Sequence, residues 1–526
     1  MERGRSGAAL GAMLSKLSPR SILMVLASAV FGRMSTALSQ IVAAIYLSPK
    51  DFGVYAAAMA IATITTALRG GGTGNYVSTM KVAEFDTDAG RLFRYAMVFM
   101  VIGVSLTCAA APLAWWWYRD STEYPGRDVM LVLGVLALNF ALFSFTVFPR
   151  SFMIAKLRLT EVSLLDSVSG FVKFVSTWAL ASCGAGAMTF AGALFAAGAI
   201  ELAWVSTRSG FGRGQLAVHR PWGLRTFREM RLPLSLAIMI SLASQTDTAT
   251  GSLFVPAAVL GFYYFASQLA AQPAMLVGST LRAIFTATTA QVRGDQDREN
   301  ASIQTVFSGA MVFMPLVTMA IPAVFESFER AAWQGKWADS RFPVLILSAT
   351  LVYPTALQLV AAPIAGLRDW KLAIRLDALR ALAKIVPAAI GGACILWLGL
   401  KASTSGMVLA ASVGGAGAIV SSIELVRILM RAGMPRHTII YELYSTPLAA
   451  LLSAVAAAGL AHSAAEPMRV ILGDRAAAGI ECVMAAAVYA VLAVILLRFG
   501  YTATLERLVA ALPEFMRAPA RRLFVL

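Results

Sequence analysis

Fourteen runs of apolar residues, each close to the length of a membrane crossing, follow one another along the chain and restrict its folding more than any other feature. They lie at roughly 21–46, 53–79, 93–117, 129–149, 162–182, 187–206, 232–254, 257–282, 303–325, 342–366, 379–400, 405–427, 441–461 and 477–498. A helix needs about 20 apolar residues to cross the hydrocarbon of a bilayer. In lipid every backbone polar group must be satisfied internally, so only helices and closed barrels span it. Barrel strands alternate and do not stay apolar over such lengths. The expected fold class is therefore all-α, a polytopic membrane bundle of about 14 transmembrane helices. Composition agrees, with 58% of 526 residues apolar and 14% charged, against about 45–50% and roughly 25% in soluble chains. A soluble enzyme, a disordered chain and a single-anchor receptor are excluded. The fifth and eighth runs carry charge, and the tenth holds Pro343, Pro354 and Pro363, tolerable where neighbours satisfy the freed carbonyls. Ala27-Ser28-Ala29 imitates a signal-peptidase site, yet the apolar stretch continues to Tyr46, so the first span is expected to be retained.

The net charge of +16 would suggest nucleic acid on a soluble protein. Here it is explained by the excess of Lys and Arg in cytoplasmic loops. With the N-terminus inside, 31 of the 44 Lys and Arg fall on the cytoplasmic side, many of them in a basic linker at 207–231 and a basic tail. Nine fall outside: Lys50, Arg119, Arg127, Arg330, Lys336, Arg341, Lys401, Arg469 and Arg475. This asymmetry places both termini in the cytoplasm, and no nucleic-acid partner is expected. The connections are too short for a catalytic domain, which argues against a membrane glycosyltransferase. Cys108, Cys183, Cys394 and Cys482 lie in or beside apolar runs without CxxC spacing, and are read as small buried hydrophobes. His219, His437 and His462 are scattered, so neither a metal site nor a cofactor is expected.

An internal repeat organises the spans. Leu47-Ser48-Pro49-Lys50-Asp51-Phe52-Gly53-Val54-Tyr55 joins the first and second, and Val255-Pro256-Ala257-Ala258-Val259-Leu260-Gly261-Phe262-Tyr263 joins the seventh and eighth. Each is a proline turn leading to an apolar residue, Gly, an apolar residue and Tyr, at an offset of about 208 residues, or six helices. Repeats of this kind form the two halves of many transporters. The expected division is an N-lobe at 1–206, the linker at 207–231, a C-lobe at 232–427, and two extra helices with the tail at 428–526.

Four cations are assigned to the spans and not to the loops: Arg33, Arg69, Lys173 and Arg282. A charge at the bilayer centre costs at least about 2.5–3.5 kcal/mol and normally faces a bundle interior or a wet cavity. Thr36 and Gln40 share the face of Arg33, and Arg69 precedes Gly70-Gly71-Gly72, where the backbone is free to bend. On the eighth run Tyr264, Gln268, Gln272, Met275, Ser279 and Arg282 recur at helical spacing. That stripe is either a helix seam glued by amides or the lining of a cavity. Asp247, beside Gln245, and Glu201 are the acids that could serve as counter-ions or in ion coupling, for instance Asp247 with a first-lobe arginine. The surplus of cations suits an anionic cargo such as a diphosphate.

Ser35 to Tyr55, followed by Gly70-Gly71-Gly72, resembles the opening of Wzx-like polysaccharide flippases of the MOP (multidrug/oligosaccharidyl-lipid/polysaccharide) exporter superfamily. The resemblance implies two six-helix lobes around a central cavity and movement of undecaprenyl-diphosphate-linked oligosaccharide to the outer leaflet by alternating access. It also implies no bond-making chemistry. Its implied partners are the lipid-linked oligosaccharide, membrane lipids and a polysaccharide polymerase or co-polymerase. Cationic residues on the first, second and eighth helices occur in related lipid II flippases, and Arg33, Arg69 and Arg282 fall on those helices. Many Wzx-like proteins have 12 helices and lipid II flippases 14, so the extra pair departs from the pattern. A lipid II flippase, a multidrug/cation antiporter and a non-transporting scaffold for polysaccharide assembly remain alternatives.

Overall fold

In the computed structural model, residues 19–77, 82–155, 158–210, 223–291, 294–367, 369–501 and 506 are described. His219, most of the basic linker and nearly all of the tail lie outside them. All regular structure among these residues is helical: α1 (Pro19–Tyr46), α2 (Pro49–Thr65), a 3₁₀ segment (Thr66–Gly72), α3 (Thr73–Val77), α4 (Val82–Tyr118), α5 (Gly126–Ala155), α6 (Leu159–Ser182), α7 (Met188–Arg208), α8 (Leu224–Gly251), α9 (Ala257–Gln291), α10 (Gln296–Ala332), a 3₁₀ turn (Ala338–Ser340), α11 (Arg341–Thr350), α12 (Val352–Gly366), α13 (Trp370–Leu398), α14 (Ala402–Arg431), α15 (Arg436–Leu472) and α16 (Asp474–Gly500). With α2–α3 and α11–α12 each counted as one broken span, these are the fourteen spans read from the apolar runs. Ten are long and apolar enough to cross a membrane on length and composition alone. The other four, α1, α6, α8 and α9, include the polar runs noted above.

Local chemistry explains the breaks and ends. Ser48 begins α2 with a reciprocal capping box: its hydroxyl accepts from Asp51 N at 3.2 Å, and its own N–H donates to Asp51 Oδ2 at 2.9 Å. Pro49 occupies the first helical position, where a missing N–H costs nothing. The tenth span breaks at Leu351, three residues before Pro354, because proline cannot donate to the preceding turn. Helices overrun the apolar runs where polar residues continue the helix beyond the hydrocarbon, as in α10. The basic linker is likewise shortened, since α8 starts at Leu224. The cysteines depart from expectation. All four are free thiols, Cys108 and Cys183 are exposed, and Cys394 and Cys482 are half-buried. Cys108 shares α4 with exposed Val101, Leu106 and Leu113, apolar surface suited to lipid, where a thiol behaves as one more small hydrophobe.

Contacts divide the chain into two compact units that interleave in sequence. One contains Met24–Phe265 and Arg368–Val413. In it α1 crosses α6 at two glycines: a Cβ on Gly32 would lie 2.8 Å from the Asp166 carbonyl oxygen, and one on Gly170 would lie 2.6 Å from that of Gly32. The Ser167 hydroxyl donates to Ser28 O across the same crossing at 2.7 Å. Gly392 of α13 lets Phe254, just beyond α8, approach to 2.6 Å from where its Cβ would be.

The second unit contains Ala266–Leu367 and Gly414–Leu526 with the first residues of the chain. Its core joins Leu316, Met319 and Ala323 of α10 to Ala450, Ala454 and Ala457 of α15 and Tyr489 of α16. Polar bonds fasten the last two helices to α10 along its length. Ser308 donates to Glu442 Oε2 at 2.7 Å, Tyr489 to Leu316 O at 2.7 Å, and Arg330 to Glu481 Oε1 at 2.7 Å. Arg469 adds a second guanidinium on Glu481 at 3.1 Å.

Candidate functional site

The second span is helical only to Thr65. The Thr65 and Thr66 hydroxyls donate back to the Ile61 and Ala62 carbonyls at 3.0 and 2.6 Å, an arrangement that loosens a helix end. Gly70, Gly71 and Gly72 then adopt φ of +71°, +58° and +76° in succession, a left-handed path that only glycine follows without strain. Thr73 restarts the helix, its hydroxyl donating to Gly70 O at 2.6 Å. The turn is wedged on both sides. A Cβ on Gly71 would lie 2.3 Å from the Tyr95 ring, and one on Gly72 would lie 2.4 Å from the Pro233 backbone. Beside it is a cavity of about 240 Å³ lined by Gly70, Gly72, Thr73, Phe143, Ser144 and Phe148 among others, with room for several water molecules. Irregular backbone within a membrane span is tolerated only where it is buried or lines a cavity, and in transporters broken helices form binding sites. Arg69 lies in this segment.

Asp247 of α8 is a buried acid with both a hydroxyl and a cation on its carboxylate. Its Oδ2 accepts from the Tyr263 hydroxyl of α9 at 2.6 Å, and its Oδ1 lies 3.3 Å from the Lys384 ammonium of α13. Lys384 also donates to Ser244 O at 3.3 Å. Asp247 is 5% exposed and Tyr263 1%. Among the described residues, the cation that meets Asp247 is a lysine of the eleventh span.

Glu201 of α7 is also paired. Arg150 of α5 reaches it through Nη1 at 3.1 Å and reaches Asp166 of α6 through Nη2 at 2.7 Å. One guanidinium shared by two carboxylates ties three helices together and leaves one negative charge in excess. Arg150 lies just beyond one apolar run and Asp166 near the start of another, so neither stands out in the sequence. The available signal was that Arg150 and Glu201 stand at matching ends of neighbouring helices.

The other candidates are spread over several helices. Arg33 lies on α1, Arg69 in the 3₁₀ segment and Arg282 on α9, with side chains outside the described residues; Ser279 is in the same position. Lys173 is half-buried on α6, Gln40 half-buried on α1 and Gln245 half-buried on α8. On α9, which runs unbroken through Pro273, Tyr264 and Gln272 are buried and Gln268 is half-buried, whereas Met275 is 44% exposed. The Tyr264 ring meets Tyr55 of α2 edge-on at 6.0 Å. Among the described residues no group of acids, cysteines and histidines is placed to hold a metal ion.

A model of the family described as "Polysaccharide biosynthesis protein" matches residues 41–327. No curated protein matches the chain by sequence. Among solved structures, the lipid II flippase MurJ in an inward closed conformation is similar over 90% of this chain and 99% of its own, with a TM-score of 0.64 at 11% identity. A multidrug resistance MATE family transporter of the MOP superfamily is similar in its inward-facing conformation over 76% of this chain and 94% of its own, with a TM-score of 0.55 at 12% identity. Its outward-facing conformation is also similar, over 80% and 96%, with a TM-score of 0.55 at 14% identity. The fold is therefore that of the MurJ and MATE transporters, here a multi-pass membrane bundle.

Proposed function

The chain belongs to the polysaccharide biosynthesis protein family, and from that premise we propose that it flips undecaprenyl-diphosphate-linked oligosaccharide from the cytoplasmic to the outer leaflet of a bacterial inner membrane by alternating access. What carries this reading is the glycine break of the second span. In this reading it sets Arg69 in a 3₁₀ segment within a membrane span, outside the regular α-helix. A diphosphate in bare hydrocarbon would cost tens of kcal/mol. Arg33, Arg69, Lys173 and Arg282 replace its hydration, Arg by bidentate grip and Lys as a point charge. The glycan stays solvated along Gln40, Gln245, Tyr264, Gln268 and Gln272, and the prenyl tail stays in lipid. The lobes are 1–206 and 232–427, and 428–526 contributes helices fastened to the C-lobe. No covalent bond changes, so the protein is not an enzyme. Asp247 and Glu201, already paired with Lys384 and Arg150, act as structural counter-ions in this scheme. Charge asymmetry puts both termini in the cytoplasm, and the flipped product passes to a polymerase.

The test is the leaflet distribution of lipid-linked oligosaccharide in a deletion strain carrying wild type or Arg33→Ala/Arg69→Ala. Each lost charge-assisted hydrogen bond is worth about 1.5–3 kcal/mol, so the double variant should slow translocation at least about tenfold. Inner-leaflet intermediate then accumulates and surface polymer falls, while the protein still inserts normally. Normal translocation by the correctly inserted double variant would overturn the cationic path. Accumulation of lipid II instead of oligosaccharide in the deletion strain would point to peptidoglycan precursor as the cargo.

A further inference from the structure

The repeated segments at the starts of α2 and α9 share more than a sequence pattern. They lie against each other, in mirror-matched register. A Cβ on Gly53 would fall 1.8 Å from the Ala257 carbonyl oxygen, and a Cβ on Gly261 would fall 1.8 Å from the Pro49 carbonyl oxygen. Pro49 and Ala257, like Gly53 and Gly261, are separated by the repeat offset of 208 residues. The contact is therefore reciprocal: each glycine receives the carbonyl that corresponds to the one its counterpart receives. The same offset relates the first backbone bonds of the two helices, Phe52 N to Ser48 O at 3.3 Å and Leu260 N to Pro256 O at 3.0 Å. Backbones this close are possible only without a side chain at the crossing, and they permit Cα–H···O contacts in place of packing. Aromatic rings close the sides. Phe52 meets Phe265 edge-on at 5.6 Å, Tyr55 meets Tyr264 at 6.0 Å, and Phe190 of α7 covers both Phe52 and Tyr55 at under 5 Å. The Tyr124 hydroxyl, in the turn after α4, donates to Val255 O at 2.9 Å; burial, with Tyr118 and Glu123 nearby, holds this phenol well above its ordinary pKa. The crossing is held by shape and backbone contacts, with no ion pair across it among the described residues. A contact of this kind breaks without stranding a charge.

We propose that the Gly53–Gly261 crossing is the external gate of the transport cycle. It is closed in this structure, and the starts of α2 and α9 part along it to release cargo. This rests on the transport reading and on its orientation, in which Ser48 and Val255 face outward. Every turnover must separate the two glycines and bring them back to backbone contact, so any side chain at either position holds the gate ajar.

The test uses the full chain in inverted and right-side-out vesicles, with Cys108, Cys183, Cys394 and Cys482 replaced by Ser. Ala57→Cys, fully buried one turn below Gly53 on the same face, serves as reporter for a membrane-impermeant maleimide. Gly53→Ala and Gly261→Ala, singly, should each raise the labelling rate from the outer side at least about tenfold. Gly134→Ala, where a Cβ meets nothing within 4 Å, should leave it unchanged. Should the alanine variants fail to accumulate, Tyr124→Phe keeps the question open to measurement, since it loosens the turn at Val255 without adding bulk. It should give the same change in smaller size. Folded Gly53→Ala and Gly261→Ala proteins labelled at the wild-type rate would overturn the gate. Faster labelling in a protein that moves no lipid-linked oligosaccharide would keep the gate and overturn the cargo.

Discussion

Lys384→Met is expected to destabilise the protein by about 3 kcal/mol, because it leaves the Asp247 carboxylate buried without its cation. Removing one partner of a buried pair typically costs about 3–5 kcal/mol; the retained Tyr263 hydrogen bond puts this case at the lower end. Lys384→Met combined with Asp247→Asn removes both charges and should recover most of the loss, since replacing a whole buried pair is often near neutral. Thermal melts of the purified proteins, read as a double-mutant cycle, give the coupling directly. The paired transport assay separates two roles for Asp247. If it is a counter-ion, the double variant recovers both stability and translocation. If it couples an ion to transport, stability returns and translocation does not. A single variant as stable as wild type would mean that the 3.3 Å contact contributes nothing.

Gly72→Ala should be nearly as severe. An L-residue at φ of +76° costs about 1–2 kcal/mol, and its Cβ must displace the Pro233 backbone from 2.4 Å, an overpacking cost of about 1–3 kcal/mol. The total, about 2–5 kcal/mol, falls on the turn that holds Arg69, so translocation should fall along with the melting temperature. Gly74→Ala, two residues on in α3 with nothing near its Cβ, is the matched control. There the less flexible unfolded chain should favour the variant by up to about 1 kcal/mol. Equal melting temperatures for the two variants would show that the left-handed turn relaxes freely.

Much of this architecture is legible from the chain because lipid imposes a one-dimensional rule. Each span must be apolar for about 20 residues, and exceptions stand out against that background. The proline turn at Ser48-Pro49 and the freedom to bend at Gly70-Gly71-Gly72 are legible because turns are decided by residues within a few positions, whereas the capping box of Ser48 with Asp51 emerges from the structure. Lys384 shows where such reading stops. Its neighbours say only that a cation lies near the start of the eleventh span; that it meets Asp247, 137 residues earlier, depends on how α13 packs on α8. Arg150 is the same case, an end-of-span cation by sequence and a three-helix tie in the structure. Cys108 fails in the opposite sense. In a membrane protein an apolar neighbourhood does not imply burial, because lipid accepts apolar side chains as readily as a core does.

By itself the sequence determined the all-helical membrane class, the fourteen spans, the glycine break and the 208-residue repeat, since hydrocarbon compatibility and local backbone preference act residue by residue along the chain. Only the tertiary structure decided that Lys384 neutralises Asp247, that Arg150 is shared by Asp166 and Glu201, and that Gly53 and Gly261 stand at one crossing. Ion pairing and close packing are matters of distance between side chains and backbones from separate helices, and no periodicity within a helix encodes that distance.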